Sequence, residues 1–221
     1  VIQQHPAALI LDFDGLMMDT ETTSLRSWEW EWRQWGLVLK RETFFVQHGG
    51  DVTEDRYAAL AQAVGPSYDR ESSHGRRSAY RDHIHESLPL LSGVDEWLEQ
   101  ASSSGLPVAV ASSSPKDWVT RHLKAVGALT RIDVLATGDE VDKPKPDPAV
   151  YRLALKRLQM SPNDVLAVED SPHGVAAAQA AGLKCLAVPT TWVDPTAVAH
   201  ADLVLESLAI SSLAAAWAQL R

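Results

Sequence analysis

The chain has 221 residues, 45% of them hydrophobic, enough for one doubly wound domain carrying a modest insertion. Its 29 acidic side chains against 20 lysines and arginines give a formal net charge of -9, which opposes an extended nucleic-acid backbone but leaves a small anionic substrate open. The single cysteine, Cys185, rules out an internal disulfide, no short repeat recurs, and no apolar run nears the roughly 20 residues that cross a bilayer. No basic region followed by an apolar stretch stands at Val1 to Pro6, so the expectation is a cytoplasmic protein without membrane attachment, a monomer or a weak homo-oligomer.

In chain order, apolar runs bounded by turn residues predict buried strands at Ala8 to Phe13, Pro107 to Ala111, Ile132 to Ala136, Val165 to Val168 and Lys184 to Val188. Helical patterns fall between them at Val94 to Ser103, Lys116 to Val126, Pro148 to Leu158 and Pro172 to Ala181. That alternation predicts an α/β fold, a doubly wound, Rossmann-like parallel sheet covered on both faces. Ser114-Pro115, Asp147-Pro148 and Ser171-Pro172 each offer a capping side chain ahead of a proline suited to a first helical turn. In an open parallel sheet the ligand crevice lies beyond the carboxyl ends of the strands, and function is sought there.

The first two strands are separated by about 90 residues, far more than a βα connection needs. The predicted organisation is therefore a core of residues 1–17 and 90–221 with an α-helical cap domain inserted at 18–89. Within the insert, Leu25, Trp28, Trp32 and Trp35 share a helical face and read as cap core, with Trp30 off it; Val52 to Val64 and Ser67 to Ser87 also read as helices.

The first strand ends in Asp12-Phe13-Asp14-Gly15, where alternation aims both aspartates to one side and the glycine allows a sharp turn. Two carboxylates in one small volume repel each other and favour a hard, oxygen-ligated cation such as magnesium. Aspartates also commonly cap turns, so the pair needs company. Three further strand ends supply it: Ser112-Ser113-Ser114, the run Asp142-Lys143-Pro144-Lys145-Pro146-Asp147, and Glu169-Asp170. A hydroxyl for a phosphoryl oxygen, a fixed cation and further acids for a metal site are the groups that phosphoryl transfer uses.

Together, Asp12-Phe13-Asp14-Gly15-Leu16-Met17-Met18-Asp19-Thr20-Glu21, Ala111-Ser112-Ser113, Lys143-Pro144-Lys145-Pro146-Asp147 and Glu169-Asp170-Ser171 resemble, in order, the four motifs of the haloacid dehalogenase superfamily. The resemblance is to its phosphatase and phosphomutase branch, and the insert is similar to the helical cap of the β-phosphoglucomutase-like group. It implies that Asp12 is the nucleophile and forms an aspartyl-phosphate, while Asp14 protonates the leaving oxygen and then activates water. It further implies Mg2+ held by Asp12, the Asp14 backbone carbonyl and Asp170, with Glu169 as a direct or water-mediated partner. Ser112 and Lys143 would hold the transferring group, Lys143 also orienting Asp12; Lys145 is the nearest rival but Lys143 heads the Lys-Pro-x-Pro-Asp pattern. Gly15 and Ser113 would line the phosphate site. A dehalogenase needs no acid where Asp14 stands, so dehalogenation is not expected.

The expected activity is hydrolysis of small phosphate monoesters, such as sugar phosphates. A phosphosugar mutase is the first alternative and a non-catalytic binding module the second, although no motif residue for catalysis is missing. Ser24 stands where β-phosphoglucomutases carry a cap histidine, and Gly50-Asp51-Val52-Thr53 lacks the arginine of the mutases' cap stretch; both departures favour hydrolysis. Arg77 is the candidate cap cation for the substrate's distal group. His83 and His85, two apart on a helix, are given no catalytic role, and His48 is read as a loop histidine.

Overall fold

The computed structural model of the protein describes residues 5–41, 53–86 and 88–220. Its elements run β1 (Ala8–Leu11), α1 (Thr20–Gln34), α2 (Thr53–Val64), α3 (Arg70–His85), α4 (Val94–Ser103), β2 (Val108–Ala111) and α5 (Lys116–Ala125). The second half continues β3 (Val134–Ala136), α6 (Ala149–Leu158), β4 (Val165–Glu169), α7 (Pro172–Ala180), β5 (Lys184–Ala187), β6 (Leu203–Val204) and α8 (Leu213–Gln219). The chain divides into two compact units, Val1–Asp19 with Pro89–Arg221, and Thr20–Leu88. No described helix is long and apolar enough to cross a membrane.

The first unit is a six-stranded sheet in the order β3-β2-β1-β4-β5-β6, with every pairing parallel. β1, β2 and β4 are buried along their whole length, which is why they read as unbroken apolar runs without alternation. One face collects Ala8, Ile10, Ala109, Ala111, Val165, Ala167, Cys185 and Ala187 with Val150, Tyr151 and Ala154 of α6 and Val175, Ala177 and Ala178 of α7. So many alanines leave room for the helix backbones to approach the sheet closely. Cys185 is a free, buried strand residue. Beyond the expected elements stand β6 and α8. Near α8, the fully buried Trp97 of α4 donates its indole N–H to the carbonyls of Leu208 and Ser211, at 3.1 and 2.9 Å.

The strand order reverses between β1 and β4, so the crevice opens over the carboxyl ends of those two strands. Register then decides the neighbours. Leu11 pairs with Val110 on one side and Val168 on the other, and the Asp12 N–H donates to the Val168 carbonyl at 2.9 Å. The next residue along each strand is therefore Asp12 in the middle, flanked by Ala111 and Glu169.

The second unit is helical, and α1 packs along α3. Its buried stripe is more polar than the tryptophan spacing predicts. Leu25 and Trp28 are buried as expected, but so are Thr23, Ser27 and Glu31, while Trp32 and Trp35 are half-buried and Trp30 stacks on Tyr80 at 4.6 Å. The polar groups are paired: Thr23 with His85, Ser27 with Arg77, and Glu31 with Arg76 at 2.6 Å and the Trp35 indole at 3.0 Å. His48 and the stretch from Gly49 to Val52 lie outside the described residues.

Trp97→Ala, which empties a fully buried site and drops two indole contacts, is expected to cost about 3–5 kcal/mol. A urea unfolding curve with a lowered midpoint and unchanged slope is the check.

Candidate active site

Asp12 leaves β1 with its side chain in the reversal crevice, only 6% exposed. Its Oδ1 accepts from the Lys145 ammonium at 2.5 Å. The same ammonium donates to Glu169 Oε1 at 2.6 Å and to the Ala111 carbonyl at 2.9 Å, so one cation ties together the ends of β1, β2 and β4. Lys143, the expected cation, is exposed instead. Two Lys-Pro-x-Pro patterns overlap here, and the second, Lys145-Pro146-Asp147-Pro148, is the one in register with α6. From that position the lysine passes over the ring of Tyr151, 5.0 Å from its centroid, into the crevice.

Glu169 is fully buried and heavily engaged. Besides Lys145, its Oε1 accepts from the Tyr151 hydroxyl at 2.5 Å, and its Oε2 lies 3.3 Å from the Asp170 N–H and 3.4 Å from the Ser171 hydroxyl. Gly174, in the first turn of α7, makes the room: a Cβ there would stand 1.9 Å from Glu169 Oε2. Ser171 caps that helix as the sequence predicts, accepting from the Gly174 N–H at 3.1 Å.

Burial raises Asp12, and the Glu169 charge adds to it; against the pull of Lys145 the carboxyl is pushed up to about 8. For Lys145, burial acts to lower the value, but Asp12 and Glu169 outweigh it and hold the ammonium above the usual lysine range. Asp12, Glu169 and Asp170 each bring a carboxylate oxygen to within 4.8 Å of the others. Three buried carboxylates against one ammonium leave excess negative charge, and an all-oxygen donor set suits a hard divalent cation. The donor set thus fits Mg2+.

Gly15 closes this side of the site. It holds φ of +89°, and a Cβ on it would come within 2.1 Å of Asp170 Oδ2, so only glycine lets the turn after β1 pass beside that carboxylate.

Asp14 lies outside the carboxylate cluster by its side chain. Its Oδ2 accepts from Ser114 at 2.6 Å and from Ser112 at 3.3 Å, and its Oδ1 accepts from the Trp118 indole at 3.1 Å. Ser112 is completely buried at the end of β2, and its Oγ also receives the Ser114 N–H at 3.0 Å. Ser114 therefore serves Asp14 and does not cap α5; Pro115 takes the cap position and the helix begins at Lys116. Ser113 is exposed beside them.

Arg77 does not present a solvent-facing cation. It is 4% exposed inside the helical unit, donating to the Tyr57 hydroxyl at 2.8 Å and to Ser27 at 3.1 Å, with its guanidinium 4.5 Å from the Trp28 ring centroid. Sequence reasoning also passed over Ser114 and Trp118 around Asp14 and Tyr151 on Glu169. The run of three serines after β2 was the available signal for Ser114, whereas the direction of the Trp118 indole has none in the sequence.

This arrangement of strand ends agrees with a family match: the model for haloacid dehalogenase-like hydrolase covers residues 9–188. The chain belongs to the haloacid dehalogenase-like hydrolases. It is 36% identical over 208 residues to YhcW of Bacillus subtilis, assigned as a phosphatase, covering 94% of each chain. It is 30% identical to the phosphorylated carbohydrates phosphatase of Thermotoga maritima, over 80% of this chain and 82% of that one. Among solved structures, a protein of T. maritima assigned as β-phosphoglucomutase superimposes with a TM-score of 0.81 at 27% identity, covering 91% of this chain and 94% of the other. This haloacid dehalogenase-like hydrolase is thus a phosphatase of the β-phosphoglucomutase-like group.

Replacing Lys145 by methionine leaves buried carboxylates uncompensated and is expected to lower phosphate release by about 100-fold or more. Lys143→Met is expected to stay within about twofold of the native rate. Steady-state phosphate release by the two variants, each checked for folding, reads this directly.

Proposed function

We propose that this phosphatase hydrolyses small phosphate monoesters, with sugar phosphates as the leading class, through an aspartyl-phosphate on Asp12 and with Mg2+ as its cofactor. The observation that carries the reading is the separate treatment of two aspartates two residues apart. Asp12 is gripped by a lysine in a buried cluster, whereas Asp14 is held by two serines and an indole. A nucleophile needs a fixed direction of attack, and an acid-base group needs to stand beside the leaving oxygen; one aspartate for each role follows. The sugar class is supported by the T. maritima relative, whose name gives phosphorylated carbohydrates as its substrates.

In this mechanism Lys145 fixes the Asp12 carboxylate and offsets charge on the transferring group, with Ser112 and Ser113 at hand for its oxygens. Asp14 gives its proton to the departing alkoxide and later takes one from the attacking water. Glu169 acts at one remove, by holding Lys145. The residues that would hold the cation are Asp12 and Asp170 with the Asp14 backbone carbonyl, and Glu169 borders them. Bound there, Mg2+ supplies Lewis-acid neutralisation of a carboxylate facing a phosphate dianion.

The β-phosphoglucomutase likeness keeps a mutase as the competing reading. A panel of phosphate monoesters, assayed with and without Mg2+ on the native protein and Asp12→Asn, separates them. Cation-dependent release of inorganic phosphate by the native protein, falling at least about 10³-fold in the variant, is expected. Isomerised sugar phosphate without free phosphate would favour the mutase.

Cation binding is also expected to displace a proton, because Asp12 must ionise to serve as ligand while its raised value keeps it protonated below about 8. Titration calorimetry in two buffers of different ionisation enthalpy should give close to one proton released near pH 6 and almost none near pH 9.5. Without cation, the same shift gives a stabilising contribution that is present in acid and is lost as pH rises through about 8.

A further inference from the structure

Asp14 is held from both of its oxygens, and the donors differ in kind. Oδ2 faces the hydroxyls of Ser114 and Ser112, each of which can donate or accept. Oδ1 faces the indole N–H of Trp118 at 3.1 Å, and an indole nitrogen only donates. A carbonyl oxygen accepts an N–H better than a hydroxyl oxygen does, so the indole favours the protonated form in which Oδ1 is the carbonyl and the proton sits on Oδ2.

The ring of Trp118 is itself braced. It packs on His122 at 4.1 Å between centroids, and the Nδ1 of that histidine pairs with the Trp118 carbonyl at 2.8 Å. His122 is buried and reaches back to Phe13, the residue between the two aspartates, with centroids 6.2 Å apart. The Arg121 guanidinium lies 5.5 Å from the centroid of the same indole. Braced in this way, the half-exposed Trp118 aims its single polar atom at the second aspartate.

We propose that Trp118 is a positioning residue for the acid-base step: it pins Oδ1 of Asp14 as an acceptor and leaves Oδ2 to carry the transferable proton. The inference rests on the reading of Asp14 as the general acid and base. In the first half-reaction Asp12 forms a bond to phosphorus, the ester P–O bond breaks, and the proton on Asp14 Oδ2 passes to the leaving alkoxide. In the second, water attacks the same phosphorus, its proton returns to Asp14 Oδ2, and the Asp12–phosphorus link breaks to release phosphate. Ser114 donates to Oδ2 when Asp14 is ionised, and its hydroxyl can turn away when Oδ2 carries the proton for the alkoxide.

The test compares leaving groups in single turnovers with enzyme in excess, following release of the alcohol or phenol from the first half-reaction only. Glucose 6-phosphate requires a proton for its alkoxide, whereas 4-nitrophenyl phosphate leaves as a stable anion. Trp118→Phe keeps a ring and removes the N–H. It is expected to slow the sugar phosphate by about 10- to 100-fold and the aryl phosphate by less than about threefold. Equal slowing of both substrates, or of neither, would overturn the proposal. Asp14→Asn, run in parallel, must show the same discrimination more strongly; if it shows none, the acid-base reading of Asp14 fails and the role of Trp118 falls with it. Should Trp118→Phe not fold, 3-benzothienylalanine at position 118, of the same shape but without the N–H, gives the same readout.

Discussion

The ammonium of Lys145 touches Asp12, Glu169 and the Ala111 carbonyl, and thereby joins three strand ends that belong to three distant stretches of sequence. Much else in the site exists to permit that contact. Tyr151 holds the far partner, Gly174 clears space for it, and the alanine-rich sheet face lets α6 come close enough for the lysine to enter. A buried ion pair of this kind adds little net stability, because desolvation of both charges nearly cancels their attraction. Its value is direction. It fixes one oxygen of Asp12 in a crevice where the other is left to react, and it keeps a second carboxylate at close range without letting the cluster fly apart.

Charge in the crevice is nevertheless unbalanced, and that imbalance is functional in form. Burial and Glu169 lift Asp12 far above an ordinary aspartate, so the metal-free site prefers a proton where the reactive carboxylate is needed. A hard cation resolves the conflict, and the substrate dianion then meets a site close to neutral. Two residues further on, Asp14 lives under different rules, with two serine hydroxyls on one oxygen and an indole N–H on the other. Both aspartates follow β1, and their different partners, Lys145 ahead of α6 for Asp12 and the serines after β2 with Trp118 of α5 for Asp14, make them chemically unlike.

Most of the sheet was legible in the amino-acid order, because strands buried on both faces must be apolar throughout and their ends must then change character abruptly. Asp12, Glu169 and Asp170 stand at just those changes. The lysine was harder: two overlapping Lys-Pro-x-Pro patterns differ by two residues, and only the start of α6 decides which one faces inward. Trp118 was invisible for another reason, since a tryptophan on an amphipathic helix reads as packing unless the position of its N–H is known. Arg77 differs in another way: expected as a cap cation for the substrate's distal group, it is buried among Ser27, Tyr57 and the Trp28 ring, an environment that a basic residue on a polar helix does not announce. The two-residue β6 and the short, alanine-rich α8 carry too little pattern to register at all.

In the proposed reaction Asp12, fixed by Lys145, takes the phosphoryl group. Enzyme quenched in acid early in turnover, reduced with borohydride and digested, can be read by peptide mass at every carboxylate. The acyl phosphate is expected to be reduced to homoserine at position 12 and nowhere else. Sustained phosphate release with Asp12 unmodified, or homoserine at a different carboxylate, would contradict it.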